Sequence, residues 1–569
     1  MSKNRTLVVL VMGMLVSFQL AGWMLAQSVT ATTSVKGGPI AVAVNPITHE
    51  AYVASSAGEY KCTPFGPPCY PYSQTVATAL NSPTDSATIL WQSALGISAE
   101  GDQKGTISLN PVTNQVYVGS THGDDAVIDG VSGAVTLMRF PATAIAVNPI
   151  TNTIYMPDNN GQNGIAVLDG ATNAMTTVVD PSAVSPLAID INPITNKVYV
   201  ANNGSANLTV IDGATNTITT TISAGSSPFA VAVNPMTNKI YVVNNTANGT
   251  VTVIDGVSNA TTTISVGSSP FAIGVNPVTN KIYVANDGSN NITVIDGATN
   301  ATTTLVDSTA LNPQGVAVDA LTNQIYVANN GSATVTVIDG ATNALTTALC
   351  PGATGDSYAL SATPSSPIAV DPVSNTVYVT HFTSSNVSAI AGVAGTGPPD
   401  FALAATSTNL TLRPGAQATD TIIVAPPFGN TIDLSCSVTG SAPTPSCQLS
   451  ATSVTPGATY GTASLTITAP TAAAMLEPTI HPALRGWQYA VLLPFLFGIV
   501  VAAGSRTHRQ HWPLCGSLLL LLLQIACGGG DTGSGSTGRG TSFPANYTVT
   551  IAGMSGAIQH TTQVTVTVQ

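Results

Sequence analysis

"SPFAVAVNPMTNKIYVVNNTANGTVTVIDGVSNATTTISVG", residues 227–267, decides the fold. Four runs in it, 229–233, 239–243, 250–254 and 261–266, are rich in Val, Ile, Thr and Tyr and are separated by turn residues, the pattern of short strands. The first two are almost continuously apolar, as strands covered on both faces are. The third and fourth alternate with Thr, which predicts strands nearer solvent. Pro235 presets φ inside the first turn, Asn234 is placed to bond back to nearby backbone, and Asn238 tolerates the left-handed region. Asp255-Gly256 is a hairpin dipeptide. One unit is therefore a four-stranded antiparallel meander.

The unit recurs. The Asn or Asp that opens its first turn stands at Asn45, Asn110, Asn148, Asn192, Asn234, Asn276, Asp319 and Asp371, most often 42 to 44 residues apart. A lone four-stranded sheet cannot cover its own faces, so copies at this period stack as the blades of a ring. Eight turn motifs predict an all-β propeller of eight blades, or seven if one degenerate copy drops out. The last copy shows only three strands, and residues 28–35, "SVTATTSV", are placed to supply the fourth and close the ring.

The phrases "NKVYVANN" and "VTVIDGATN" resemble the YVTN-family β-propeller repeat of archaeal surface-layer and bacterial exported proteins, over residues 39–393. The first copy departs at His49, where the others carry Asn, and the last at Ala391, where the others carry Asp. The resemblance implies a surface or envelope role and names no ligand.

Both ends of the chain point out of the cytoplasm. Lys3 and Arg5 precede an apolar stretch at 7–16, and Ala26 offers a cleavage point, so residues 1–27 read as a signal peptide or an N-terminal anchor. The propeller is assigned to 28–393 and a linker to 394–400. Residues 401–470, "FALAATSTNLTLRPG…", carry short strands with turn signals, as the first part of an immunoglobulin-like sandwich does. Residues 471–540 hold a linker and two apolar segments, 486–504 and 512–527. The first is about 28 Å long if helical, close to a bilayer core. The second is short for a span, and "LLLLLLQIACGGG" also reads as a lipoprotein-type box ending at Cys527. Arg506 and Arg509 between the two segments favour a cytoplasmic turn, which makes a membrane hairpin. Residues 541–569 then supply the last strands of the sandwich, because two strands alone are not stable.

Charged residues make up only 7% of the chain, with a formal net charge of −12 and no Lys/Arg cluster, which argues against a nucleic-acid partner. Among the seven cysteines, Cys62 and Cys69 bracket "CTPFGPPC" and Cys436 and Cys447 bracket "CSVTGSAPTPSC", both candidate disulfides of an exported protein. No spacing marks a zinc site, and no cofactor is implied. Propeller enzymes such as lactonases and copper-cluster reductases need acid/base groups or His-rich pore mouths, whereas the propeller's His49, His122 and His381 fall in separate blades. The repeated Asp169, Asp212, Asp255, Asp296 and Asp339 read as turn residues rather than calcium ligands, and Tyr199, Tyr241, Tyr283 and Tyr326 as packing rather than a stacking ring. The largest departure from the repeat is a long insertion after Tyr52 that carries Tyr60, Phe65, Tyr70 and Tyr72; a second, 350–366, joins the last two blades. Aromatics on a loop held by a rigid scaffold are candidate binding anchors. The expectation is a membrane-anchored extracytoplasmic binding module without catalysis, its partner a protein or glycan; the alternatives are a lactonase- or lyase-like enzyme and a structural envelope component.

Overall fold

A computed structural model describes residues 29–63, 66–81, 86–92, 105–120, 125–138, 140–158, 163–349, 367–394, 400–425, 429–457, 460–471 and 544–569. Eight four-stranded antiparallel sheets follow one another. Their first strands, Gly38–Asn45, Gly105–Asn110, Ala146–Asn148, Pro186–Asn192, Pro228–Asn234, Pro270–Asn276, Pro313–Asp319 and Ile368–Asp371, define blades one to eight. Each first strand neighbours the next, and the eighth neighbours the first, so they ring a central channel. The fold is an eight-bladed β-propeller. Blade eight takes its outermost strand from the other end of the chain: Val29–Ser34 pairs with Asn386–Ala391.

The cores lie between blades. Phe229, Tyr241 and Val251 of blade five pack with Phe271, Ile282 and Val284 of blade six, and the rings of Phe229 and Phe271 are 4.8 Å apart. Across the closing joint, Val42, Val53 and Leu80 of blade one pack with Tyr378 and Val387 of blade eight. Tyr199, Tyr241, Tyr283 and Tyr326 are fully buried in these layers. The third strands are more buried than their Thr alternation predicts. In Thr250–Asp255 the hydroxyl of Thr252 donates to the Ala224 carbonyl at 2.6 Å, so a Thr that reads as solvent-facing ties blade five to the incoming link. Only the fourth strands are open to solvent, as in Thr261–Ser265.

Turn chemistry follows the sequence with one correction. Asn234 Oδ1 accepts from the Met236 amide at 3.1 Å, and Asn238 has φ of 50°. Asp255 does not open a two-residue hairpin: its Oδ1 accepts from the amides of Val257 and Ser258, and Asn259 takes the left-handed position at φ 59°. Gly256 is needed for close approach instead, since a Cβ there would come within 2.7 Å of the Asn238 carbonyl oxygen.

The turn asparagines also latch neighbouring blades. Asn45 Nδ2 donates to Asn114 Oδ1, Asn110 to Asn152, Asn148 to Asn196, Asn192 to Asn238, Asn234 to Asn280 and Asn276 to Asn323, at 2.7–2.9 Å. All six donors are fully buried. The two remaining joints carry a carboxylate. Asp371 Oδ2 meets His49 Nδ1 at 2.8 Å, where His49 occupies the Asn position with φ of 61°. Asp319 Oδ2 and Asn375 Oδ1 are both buried without a hydrogen-bond partner.

Beyond the propeller, two sheets share one core. Ala402–Ala405, Gln417–Ala425, Gly461–Thr468 and Ser446–Leu449 form the first. Asn409–Leu412, Ile558–Val568, Ala545–Ser555, Ile432–Thr439 and Ser453–Val454 form the second. Ile422, Leu465 and Ile467 of the first pack against Val549, Ile551 and Val566 of the second. Cys436 and Cys447, one in each sheet, are disulfide-bonded with Cα atoms 6.3 Å apart. Ala545–Ser555 pairs with Ile432–Thr439, so the chain before 471 and the chain after 544 build one unit. Residues 1–27, 486–504 and 512–527 lie outside the described residues; among the described residues no helix is long and apolar enough to cross a membrane.

Candidate functional site

The meander gives the ring two different faces. First-to-second and third-to-fourth turns emerge on one, here the turn face; second-to-third loops and the links between blades emerge on the other, the link face. Blade one breaks the pattern on the link face. Its two middle strands, Glu50–Thr63 and Gly66–Asn81, are 14 and 16 residues long, where those of blade four have 6 each. The stretch read as a loop insertion is thus continuous β-hairpin. Eight extra residues on one strand carry it about 26 Å past the neighbouring blades at 3.3 Å per residue.

The register sets Cys62 opposite Cys69, Lys61 opposite Tyr70, Tyr60 opposite Pro71 and Glu59 opposite Tyr72. The side chains of Tyr60, Tyr70 and Tyr72 lie outside the described residues. Phe65 and the 350–366 insertion lie outside the described residues. The chain leaves blade seven after Leu345–Leu349 and enters blade eight at Ile368–Asp371, and blade eight adjoins blade one.

The channel wall carries one residue that sequence reading passed over. Two positions before each turn Asn/Asp, the first strands hold Ala43, Ser108, Ala146, Asp190, Ala232, Gly274, Ala317 and Ala369. Asp190 is the ionisable member of this small-residue ring, and aligning the copies on the turn Asn exposes it. Its Oδ1 accepts from the Ile191 amide at 2.8 Å and its Oδ2 from the Val233 amide of blade five at 2.7 Å. Protein surrounds it except toward the channel, and this desolvation pushes its carboxyl up to about 6 against the opposing effect of the two amides.

Two further carboxylates, Asp180 and Asp307, are saturated by structural bonds. Asp180 accepts from Ser182, Thr209 and Thr221, and Asp307 from Thr309, Thr336 and Thr347. Both are held below the usual carboxylate range: burial opposes the shift, and the hydroxyl and amide donors outweigh it. Asp169, Asp212, Asp255, Asp296 and Asp339 each accept from the two amides that follow in their turns. His49 sits in the closing joint and His381 is buried against Ser388 Oγ at 2.9 Å, while His122 lies outside the described residues. Among the described residues no group of His, Cys, Asp and Glu is arranged to hold a metal ion.

The class this geometry defines is an eight-bladed propeller with one elongated blade and a C-terminal two-sheet unit. Neither a family model nor a curated protein matches the chain. Among solved structures it is similar to hydrazine synthase of Kuenenia stuttgartiensis, at 18% identity over 53% of this chain and 99% of that one, with a TM-score of 0.43. It is also similar to virginiamycin B lyase of Staphylococcus aureus in a catalytically inactive form with quinupristin, at 14% identity over 52% of this chain and 97% of that one, with a TM-score of 0.42. Similarity at that level carries no statement about chemistry.

Proposed function

We propose that the chain is a binding module that works outside the cytoplasm, tethered to a membrane, with the blade-one hairpin as its recognition element and an extracytoplasmic protein or glycan as its partner. The observation that carries this reading is the hairpin itself: one blade of eight is extended, on one face, by a segment bearing Tyr60, Tyr70 and Tyr72 in a chain only 5% aromatic. A rigid ring that holds one long aromatic hairpin clear of its neighbours suits contact with a large partner. The channel supports binding over catalysis, because its ring of small residues contributes a single ionisable group, Asp190, where acid/base chemistry needs convergent groups. The tether is supported by the joining of 401–471 and 544–569 in one unit. Both flanks of the segment between them then lie on the same side, so any membrane crossings it makes are even in number. The repeat's resemblance to YVTN propellers and the reading of the C-terminal unit as immunoglobulin-like fit an envelope protein.

The test is a variant with Tyr60, Phe65, Tyr70 and Tyr72 all replaced by Ser. Its circular dichroism and melting are expected to match the parent's, while binding on a glycan array and crosslinking to envelope proteins on intact cells are lost. Undiminished binding by the folded variant places the recognition surface elsewhere.

A further inference from the structure

The second residue after each turn Asn or Asp is apolar and offers one probe per blade of what covers the turn face. In blades eight, one, two and three it is exposed: Val373 at 49%, Ile47 at 54%, Val112 at 58% and Ile150 at 52%. In blades four to seven the same position, Ile194, Met236, Val278 and Leu321, is half-buried. The two groups are contiguous halves of the ring. Because the repeat is nearly the same throughout, a body resting on one half accounts for the difference.

Three observations identify that body as the C-terminal unit. The chain leaving blade eight crosses back over blade seven, where the Val393 amide donates to Tyr326 Oη at 3.0 Å. Asp400, at the entry to the unit, then lines a cleft of about 180 Å³ with Val278, Thr279, Leu321 and Asp339 of blades six and seven. Asp400 is itself fixed to the unit, its Oδ1 accepting from the Phe401 amide at 2.8 Å and meeting His560 Nε2 at 2.6 Å. Finally, Tyr460 lies in the loop between Ser453–Val454 and Gly461–Thr468, where burial and then the charge of Asp190 push its phenol up. Asp190 belongs to blade four, near the turn end of its strand.

We infer that the C-terminal unit is a built-in stopper, seated on the turn face over blades four to seven, with Tyr460 closing the turn-face mouth of the channel over Asp190. The link face, which bears the hairpin, is then the open entrance, and the turn-face entrance opens only when the unit lifts. This inference stands whether or not the hairpin binds a partner.

Tyr460→Asp sets a second carboxylate against Asp190 in a confined site and should unseat the loop. Hydroxyl-radical footprinting of the full chain reads the result. Oxidation of Met236 and Leu321 is expected to rise about twofold or more, toward the accessibility of the uncovered half, while Ile47, Val112 and Ile150 keep their parent rates. Unchanged Met236 and Leu321 rates overturn the inference. A second measurement does not depend on that variant folding: in the D190C/Y460C chain, a short thiol-to-thiol crosslinker such as dibromobimane should join the two positions, identified by peptide mass spectrometry. Failure to join them, when each thiol reacts singly, overturns it as well.

Discussion

Six joints between blades are asparagine pairs, and at Asp319 and Asp371 a carboxylate stands where the others have an amide donor. At the closing joint His49 restores a donor to Asp371. At Asp319 nothing does, and desolvation holds its carboxyl above the usual range. A carboxyl whose folded-state pKa is raised contributes stability that is present below its unfolded value and lost as pH rises through the folded one. Asp319 therefore weakens the ring at neutral pH. Asp319→Asn keeps the acceptor used by the Leu321 and Thr322 amides and restores the missing donor. Its expected gain at neutral pH is about 1–2 kcal/mol, the scale of an unsatisfied buried polar group, shrinking as pH falls through the carboxylate range. Denaturant midpoints at the two pH values check this; an equal midpoint at neutral pH would show that Asp319 Oδ2 already has its partner. The latch itself was hidden in the sequence. Asn234 and Asn238 announce a turn, but their bonds run to the following and the preceding copy, and only the assembled ring shows where they go.

At the scale of strands and blades the sequence was read more fully. The four runs at 227–267 become Pro228–Asn234, Lys239–Asn244, Thr250–Asp255 and Thr261–Ser265, because β-branched runs between Asn, Pro and Gly leave the chain little choice. Burial was less legible. Thr252 and Thr209 are buried in third strands because their hydroxyls find acceptors in neighbouring links, which an alternation rule cannot register. The hairpin of blade one was equally obscure, since Gly, Pro and Cys in "CTPFGPPC" suggest a loop while its register runs unbroken from Ala51 to Cys62. The closing strand was legible from arithmetic, because the last copy lacked a fourth run. Deleting Val29–Ser34 leaves Asn386–Ala391 as an open edge. The melting midpoint is expected to drop by about 5 °C or more, with association at higher concentration. An unchanged midpoint would mean that the strand is dispensable.

For the whole molecule, the union of 401–471 with 544–569 bears on the proposed membrane tether, because both flanks of the segment between them belong to one unit. Cysteines introduced at Ser505 and at Thr532 distinguish the possibilities. A membrane-impermeant reagent on intact cells is expected to label the Thr532 site and to reach the Ser505 site only after permeabilisation. Equal labelling from outside at both would remove the hairpin from the proposal. The strand exchange in blade eight bears on how the protein is made. Thr30 Oγ1 bonds the Ala389 carbonyl across 359 residues, so this propeller strand has no partner until the last blade has been synthesised. Folding of the ring thereby reports completeness. A product arrested before blade eight keeps an unpaired strand at its start and an uncovered blade at its end, the features that proteases and chaperones recognise. A chain that closes has been made through its last blade, which makes ring closure a quality checkpoint written into the topology.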